Sequence, residues 1–218
     1  TAYEIMPSLV GSEMCIRDRL IASTLGYRFL DTGSMYRAIA WYASEKDVDP
    51  HDTIPLEVLA RNTSIEVTEN DGSVLVNGIK VPLKETRAHI DNTVSLVAKV
   101  AGVREALVQQ QRLIAEKGNI VLVGRDIGTV VAPQATTKLY LDASSRIRAL
   151  RRYKELQCQG QKVKLECILE QLETRDKLDA ERTNSPLYPA RDAHIINTEE
   201  ITIAQVLDKA LDLITRKH

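Results

Sequence analysis

The sequence predicts an α/β fold: a parallel sheet flanked by helices, carrying a small antiparallel three-stranded insertion. Three observations predict it. Strand-like and helix-like segments alternate along most of the 218 residues, the rhythm of parallel strands joined by helical crossovers and covered on both faces. Two segments read as buried strands, the continuous apolar run 120–123 and TKLYLDA at 137–143. The exception is confined to residues 64–82, where short runs of period two are divided by Asp-Gly and Asn-Gly turns. A chain of this length suits one compact domain with a small insertion.

Residues 1–18, TAYEIMPSLVGSEMCIRD, show neither clean alternation nor helical periodicity. They begin without Met and lack the basic start and long apolar core of a secretory signal. From Arg19 the text becomes orderly. RLIASTLG places Leu20, Ile21, Thr24 and Leu25 at helical spacing and stops at Gly26, suited to the left-handed residue after a helix. A strand-like run follows and ends at Asp31-Thr32-Gly33, ahead of a helix over about 34–44. Residues 45–57 are polar, contain Pro50 and Pro55, and read as a connector. SIEVTE, SVLV and IKVP form a meander, turned at 70–72 and 77–78. Helices over about 85–99 and 103–117 come next, the second closed by Gly118. Strand 120–123 feeds a loop at Gly124-Arg125-Asp126, and strand 137–143 leads into an arginine-rich helix. A long helix spans about 163–181. Strand 193–198 precedes a final helix, 203–216, with Thr202 and Gln205 at capping-box spacing. Ligands of open parallel sheets bind beyond the carboxyl ends of the strands, where Asp31, Arg125, Asp126 and Asp142 stand.

Basic and acidic side chains number 29 and 30, a balance that argues against a nucleic-acid coat or a polybasic membrane binder. Aromatics at 4% argue against recognition by base stacking. No apolar run reaches the roughly 18 residues of a membrane span. Cys15, Cys158 and Cys167 show no CxxC spacing, so neither a disulfide framework nor a zinc site follows, and a reducing cytoplasm is expected. The histidines are isolated and no G-x-S-x-G elbow occurs. Arginine, aspartate and glycine remain, which points to electrostatic catalysis of phosphoryl transfer rather than to a covalent intermediate.

Four constellations carry that chemistry. In LDTGSMYR (30–37) a hydroxyl and an arginine at a strand-to-helix junction can hold a phosphate or a sugar edge. The structural alternative is a helix capped by Thr32 or Ser34 with Arg37 solvated, and the motif alone favours it. Arg104, opening a helix after Gly102, reads alone as a surface arginine. In GRDIGTVV (124–131), Arg125 and Asp126 directly follow a buried strand, between glycines that let a backbone approach a ligand. Ligand contact is the favoured reading there, and an ion pair bracing the loop is the alternative. In SSRIRALRRYK (144–154), Arg148, Arg151 and Arg152 share one helix face. Such guanidiniums repel unless an anion sits between them, and a polyphosphate fits. A solvated helix, with Lys154 and Glu155 softening the charge, is the alternative. In LECILEQLETRDKLDAER (165–182) the apolar stripe Leu165, Ile168, Leu169, Leu172 continues in phase into Arg175, Asp179 and Arg182. Buried against protein, those charges would cost several kcal/mol each. The expectation is that they face an anionic ligand, with Asp179 orienting the arginines; otherwise the helix leaves the core and projects into water.

These motifs, together with VREAL and SPLYPARDAHIINT, resemble bacterial cytidylate kinases, in order and with matching spacings, from about residue 19 to the end. The resemblance implies the P-loop nucleoside-monophosphate kinase fold and transfer of the γ-phosphoryl group of ATP, with Mg²⁺, to CMP or dCMP, giving CDP or dCDP. It implies a core domain over 19–44 and 91–218, a helical lid within about 148–182, and a monophosphate-binding insertion over 45–90. Thr32, Tyr36, Arg37, Ser95 and Arg104 would line the monophosphate site. Arg125 and Asp126 would contact the cytosine nucleotide, Asp126 at its sugar. Arg175, Asp179 and Arg182 would complete the acceptor site, and Arg148, Arg151 and Arg152 would be the catalytic lid arginines over ATP. The partners implied are small nucleotides, not nucleic acid or membrane, met by a monomer in the cytoplasm.

One departure stands out. The family's phosphate-binding motif, G-x-x-x-x-G-K-[ST], does not occur, and MPSLVGSEMC, which takes its place, keeps Gly11 and Ser12 without a lysine. Leu178, where the family carries a polar residue, is a smaller departure. The expectation is that residues 1–18 are foreign to the family chain and that this polypeptide is inactive or severely impaired. A non-catalytic CMP-binding module, or a kinase for another small acceptor such as UMP or shikimate, are the rivals; the meander together with GRD and RDxxDxxR disfavours the second.

Overall fold

The computed structural model describes residues 2–7, 12–68, 73–83, 87–181 and 187–216. In chain order they form β1 (Ala2–Pro7), α1 (Ser12–Leu25), β2 (Arg28–Asp31), α2 (Thr32–Glu45), α3 (Thr53–Arg61), β3 (Ile65–Val67), β4 (Val74–Val76), β5 (Ile79–Lys80), α4 (Arg87–Val97) and α5 (Ala101–Glu116). The remainder is β6 (Ile120–Val123), a π-helical turn (Ile127–Val131), β7 (Thr137–Asp142), α6 (Ser145–Cys158), α7 (Leu165–Ala180), β8 (His194–Asn197) and α8 (Ile203–Thr215). Five strands make one sheet in the order β2-β6-β1-β7-β8, and β3-β4-β5 make a second. The chain gathers into two compact units, residues 1–29 with 118–218, and Leu30–Lys117.

In the first unit β1 is central. It pairs in parallel with β6, from Ala2 opposite Ile120 to Ile5 opposite Val123, and with β7, from Tyr3 opposite Thr137 to Pro7 opposite Leu141. Strand β7 pairs in parallel with β8. The reading of residues 1–18 as irregular is therefore corrected: Ala2–Pro7 is a strand, and α1 begins at Ser12 rather than Arg19. The strand character of β1 lies in the ladders with β6 and β7, partners far along the chain that local periodicity does not register. Gly26, at φ +64°, closes α1 as expected. All four residues of β6 are buried. Val121 and Val123 pack with Leu139 and Leu141 of β7, Ile21 and Ala22 of α1, and the Val206, Ala210, Ile214 stripe of α8. Thr202 and Gln205 make the expected reciprocal cap of α8.

The second unit holds the meander. β3 and β5 flank β4 in antiparallel pairing, and Asn77 and Gly78 both take positive φ in the tight turn between β4 and β5. The turn expected at 70–72 lies outside the described residues. Residues 53–57, read as connector, open α3 instead. Pro55 falls in its first turn, where a missing N–H removes no intrahelical bond. The unit extends beyond 45–90 because α2 packs on β4 and α4, and α5 packs on α3. Gln110 of α5 ties the meander down: its Oε1 accepts the Ile65 N–H at 2.9 Å and its Nε2 donates to the Thr63 carbonyl at 2.8 Å.

Candidate functional site

In the second unit the site residues gather where β2 runs directly into α2. Asp31, the last residue of β2, caps α2 by accepting the Gly33 N–H at 2.9 Å. Its other oxygen pairs with Arg37 Nη2 at 2.8 Å. Neither expected cap, Thr32 or Ser34, plays that part: Asp31 sits one residue closer to the strand and carries the charge that a helix N-terminus favours. Arg37 is drawn back onto it rather than solvated, with its side chain 21% exposed. Thr32, Ser34 and Tyr36 are buried in the same segment. The reading of Arg104 as a surface arginine is also corrected. It is 5% exposed, its guanidinium lies 5.4 Å above the Tyr36 ring, and Nη1 donates to the Ala98 carbonyl at 3.4 Å. A cation over an aromatic face is attracted by the negative face of the ring. Ser95, half-buried on α4, belongs to this unit, where α4 packs on α2.

In the first unit the loop after β6 meets α7. Arg125 Nη1 lies 2.8 Å from Asp179 Oδ2 and 3.4 Å from Asp176 Oδ1. Arg175 Nε stands 4.0 Å from the same Asp179 oxygen. Asp126, 4% exposed, starts the π-helical turn, its carbonyl accepting the Val130 N–H at 2.9 Å. The stripe on α7 continues as read, from buried Ile168 and Leu172 to buried Asp179, so the helix does not leave the core for water. The charges it carries inward are balanced by arginines of the protein. Burial pushes the Arg125 guanidinium below its ordinary value; Asp176 opposes that shift and the Arg148 charge adds to it. Arg125 Nη2 is buried and makes no hydrogen bond among the described residues. A buried donor left over from two ion pairs is a place where a ligand acceptor gains a full hydrogen bond. Arg182 lies outside the described residues.

Three arginines of α6, expected from the sequence to serve a lid, have separate partners. Arg148 Nε donates to the Ala143 carbonyl at 3.1 Å and its Nη2 pairs with Asp176. Arg151 holds Thr198, through Oγ1 at 3.2 Å and through the carbonyl, and Arg152 pairs with Glu155 at 2.8 Å. Their mutual repulsion is thus offset within the protein before any polyphosphate arrives. Thr198 is itself fixed by the Asp142 carbonyl, so Arg151 is anchored to the carboxyl ends of β7 and β8. Asp176 and Thr198 were not read from the sequence. Asp176 stood one residue from Arg175 and three from Asp179, which was its only signal; Thr198 gave none.

Glu199 braces the start of α6, accepting the Ser144 N–H at 3.0 Å, and hydrogen bonding to the Ser144 side chain, then to that N–H, holds its carboxyl below the ordinary value of 4.5. The unfolded chain therefore takes up this proton first. The stability the bond supplies is complete above about pH 4.5 and is lost as pH falls through the folded value. Urea unfolding at pH 6 and pH 3.5 is expected to show a smaller acid-side loss in Glu199→Gln than in the parent chain, with equal losses counting against this role.

The family model for cytidylate kinase matches residues 12–216. The chain is 43% identical over 201 residues to the cytidylate kinase of Bacillus subtilis (strain 168), covering 91% of this chain and 90% of that relative. It is 41% identical over 202 residues to the cytidylate kinase of Bacillus licheniformis, covering 91% and 89%. A bifunctional pantoate ligase/cytidylate kinase of Synechococcus sp. (strain JA-3-3Ab) is 42% identical over 200 residues, 89% of this chain and 37% of that protein. With the matched span running through both units and the α/β architecture in place, the chain belongs to the cytidylate kinase family.

Proposed function

We propose that this chain takes CMP or dCMP as phosphoryl acceptor and MgATP as donor, and that its turnover is severely impaired because the phosphate-binding segment lacks its lysine. In the reaction an acceptor phosphate oxygen forms a bond to the γ-phosphorus, the bond to the β–γ bridging oxygen breaks, and ADP leaves with that electron pair. The protein's part is positioning and charge. Thr32, Tyr36, Arg37, Ser95 and Arg104 hold the monophosphate. Arg125, Asp126, Arg175, Asp179 and Arg182 hold the rest of the acceptor, and Arg148, Arg151 and Arg152 face the donor phosphates. The observation that carries the reading is the Arg125 guanidinium, buried and balanced by two aspartates yet keeping an unspent donor at Nη2. Mg²⁺ enters as part of the MgATP substrate, bound mainly by phosphate oxygens and water. The proposal includes a monomeric protein in a reducing cytoplasm, where the exposed free thiols Cys158 and Cys167 persist unpaired.

Calorimetry and a coupled assay test it together. CMP is expected to bind at micromolar concentration, ATP far more weakly, and turnover to be near background. Normal turnover by this chain would overturn the impairment, and absent CMP binding would overturn the acceptor site. The missing lysine also favours a non-catalytic CMP-binding module, which the same assay separates by complete absence of product at saturating ATP. A panel of CMP, dCMP, UMP and shikimate tests the acceptor class.

A further inference from the structure

Asp176 has no role in the function above, yet its two carboxylate oxygens hold two arginines from different elements. Oδ1 lies 3.4 Å from Arg125 Nη1, in the loop after β6. Oδ2 pairs with Arg148 Nη2, in the first turn of α6. Each arginine is fixed a second time, Arg125 by Asp179 at 2.8 Å and Arg148 by the Ala143 carbonyl at 3.1 Å. The result is an alternating chain, Arg148, Asp176, Arg125, Asp179, with the two guanidiniums on one carboxylate. Arg148 is 7% exposed and the Arg125 side chain 15%. Two like charges that close to a dry interior repel strongly, and the Arg148 charge indeed works against Arg125. The carboxylate between them touches both guanidiniums and offsets that repulsion.

We infer that Asp176 is a positioning residue of the acceptor site, which sets the Arg125 guanidinium for CMP and makes that setting depend on Arg148. The inference rests on the reading that Arg125 contacts CMP while Arg148 serves the donor side. When Arg148 turns toward donor phosphates, Asp176 is released to Arg125 alone; when Arg148 is lost, Asp176 is free to draw Arg125 toward itself. CMP affinity therefore responds to a residue assigned no contact with CMP. The fold already supplies the geometry, because Asp176 and Asp179 stand one turn apart on α7 and bring both carboxylates to Arg125 Nη1.

The test is CMP affinity, measured by calorimetry without ATP, in the parent chain and in folded R148Q, D176N, R148Q/D176N and R125M. Asp176→Asn keeps the shape and removes the charge. R148Q and D176N are each expected to weaken CMP by about tenfold, and the double variant by no more than the weaker single one, since both break the same link. That lack of additivity is a readout a merely structural loss would not give. Additive effects, or unchanged affinity in folded R148Q, would overturn the link. Should D176N fail to fold, R148Q alone decides, because Arg148 is assigned no CMP contact. R125M that leaves CMP affinity unchanged, or a parent chain that does not bind CMP, overturns the acceptor-site reading and this inference with it. R125M that weakens CMP while R148Q and D176N do not overturns the inference alone.

Discussion

Exchanging residues 8–15 for a G-x-x-x-x-G-K-[ST] segment is expected to raise kcat/KM for CMP phosphorylation by at least about 10³-fold, with CMP affinity nearly unchanged. The position is dictated by the sheet. β1 ends at Pro7 between β6 and β7, and α1 starts at Ser12, so the exchanged segment joins a central strand to a helix at the carboxyl edge where phosphates bind. The lysine would fall at position 14, inside the first turn of α1. Successive glycine amides and a helix N-terminus cradle phosphate oxygens, and the lysine neutralises the charge that builds between them. Removing one such donor in other enzymes costs roughly 10²–10³ in rate, and the present segment MPSLVGSEMC lacks the lysine and keeps a single glycine, Gly11. The gain is expected mainly in the ATP dependence. A folded exchange variant with unchanged turnover would show that the limitation lies elsewhere in the chain.

The parts of this fold that were legible from the sequence are those governed by local rules. The Asn77-Gly78 turn needs two positive φ angles and announces itself by residue type. The α8 cap and the apolar face of α7 follow from spacing alone. The parts that were not legible depend on partners far along the chain. β1 shows no local pattern, and its pairing with β6 and β7, far along the chain, makes it a strand. α3 was hidden by Pro55, which breaks helices in their interior but not in their first turn. In the site, arginines were easy to nominate and their states were not. Arg37 and Arg104 were read as solvated because local sequence contains neither the Asp31 side chain folded back on Arg37 nor the Tyr36 ring under Arg104. Asp176 was passed over because a carboxylate bridging Arg125 and Arg148 reaches 51 and 28 residues along the chain, a distance over which spacing carries no information.

Asp179→Ala is expected to abolish CMP binding and to lower unfolding stability by about 3 kcal/mol, the cost of leaving a buried charge without its partner. Asp179 is 6% exposed and is the nearer of the two carboxylates to Arg125. Removing it leaves the Arg125 guanidinium with Asp176, which must also serve Arg148. Arg125 and Arg148 would then meet on Asp176 without the second carboxylate that now draws Arg125 away. The stability loss and the binding loss have different origins, and a second variant separates them. Asp179→Leu combined with Arg125→Met removes both charges and fills the space with apolar atoms, so it is expected to recover most of the stability, since buried pairs replaced by well-packed hydrophobes are often neutral or better. CMP binding should remain lost in that double variant, because the unspent Arg125 donor is gone. Urea denaturation and CMP calorimetry on the same three proteins check this. A double variant no more stable than Asp179→Ala would mean that the pair contributes packing or fold specificity rather than charge balance. Recovered CMP binding would remove Arg125 and Asp179 from the acceptor site altogether.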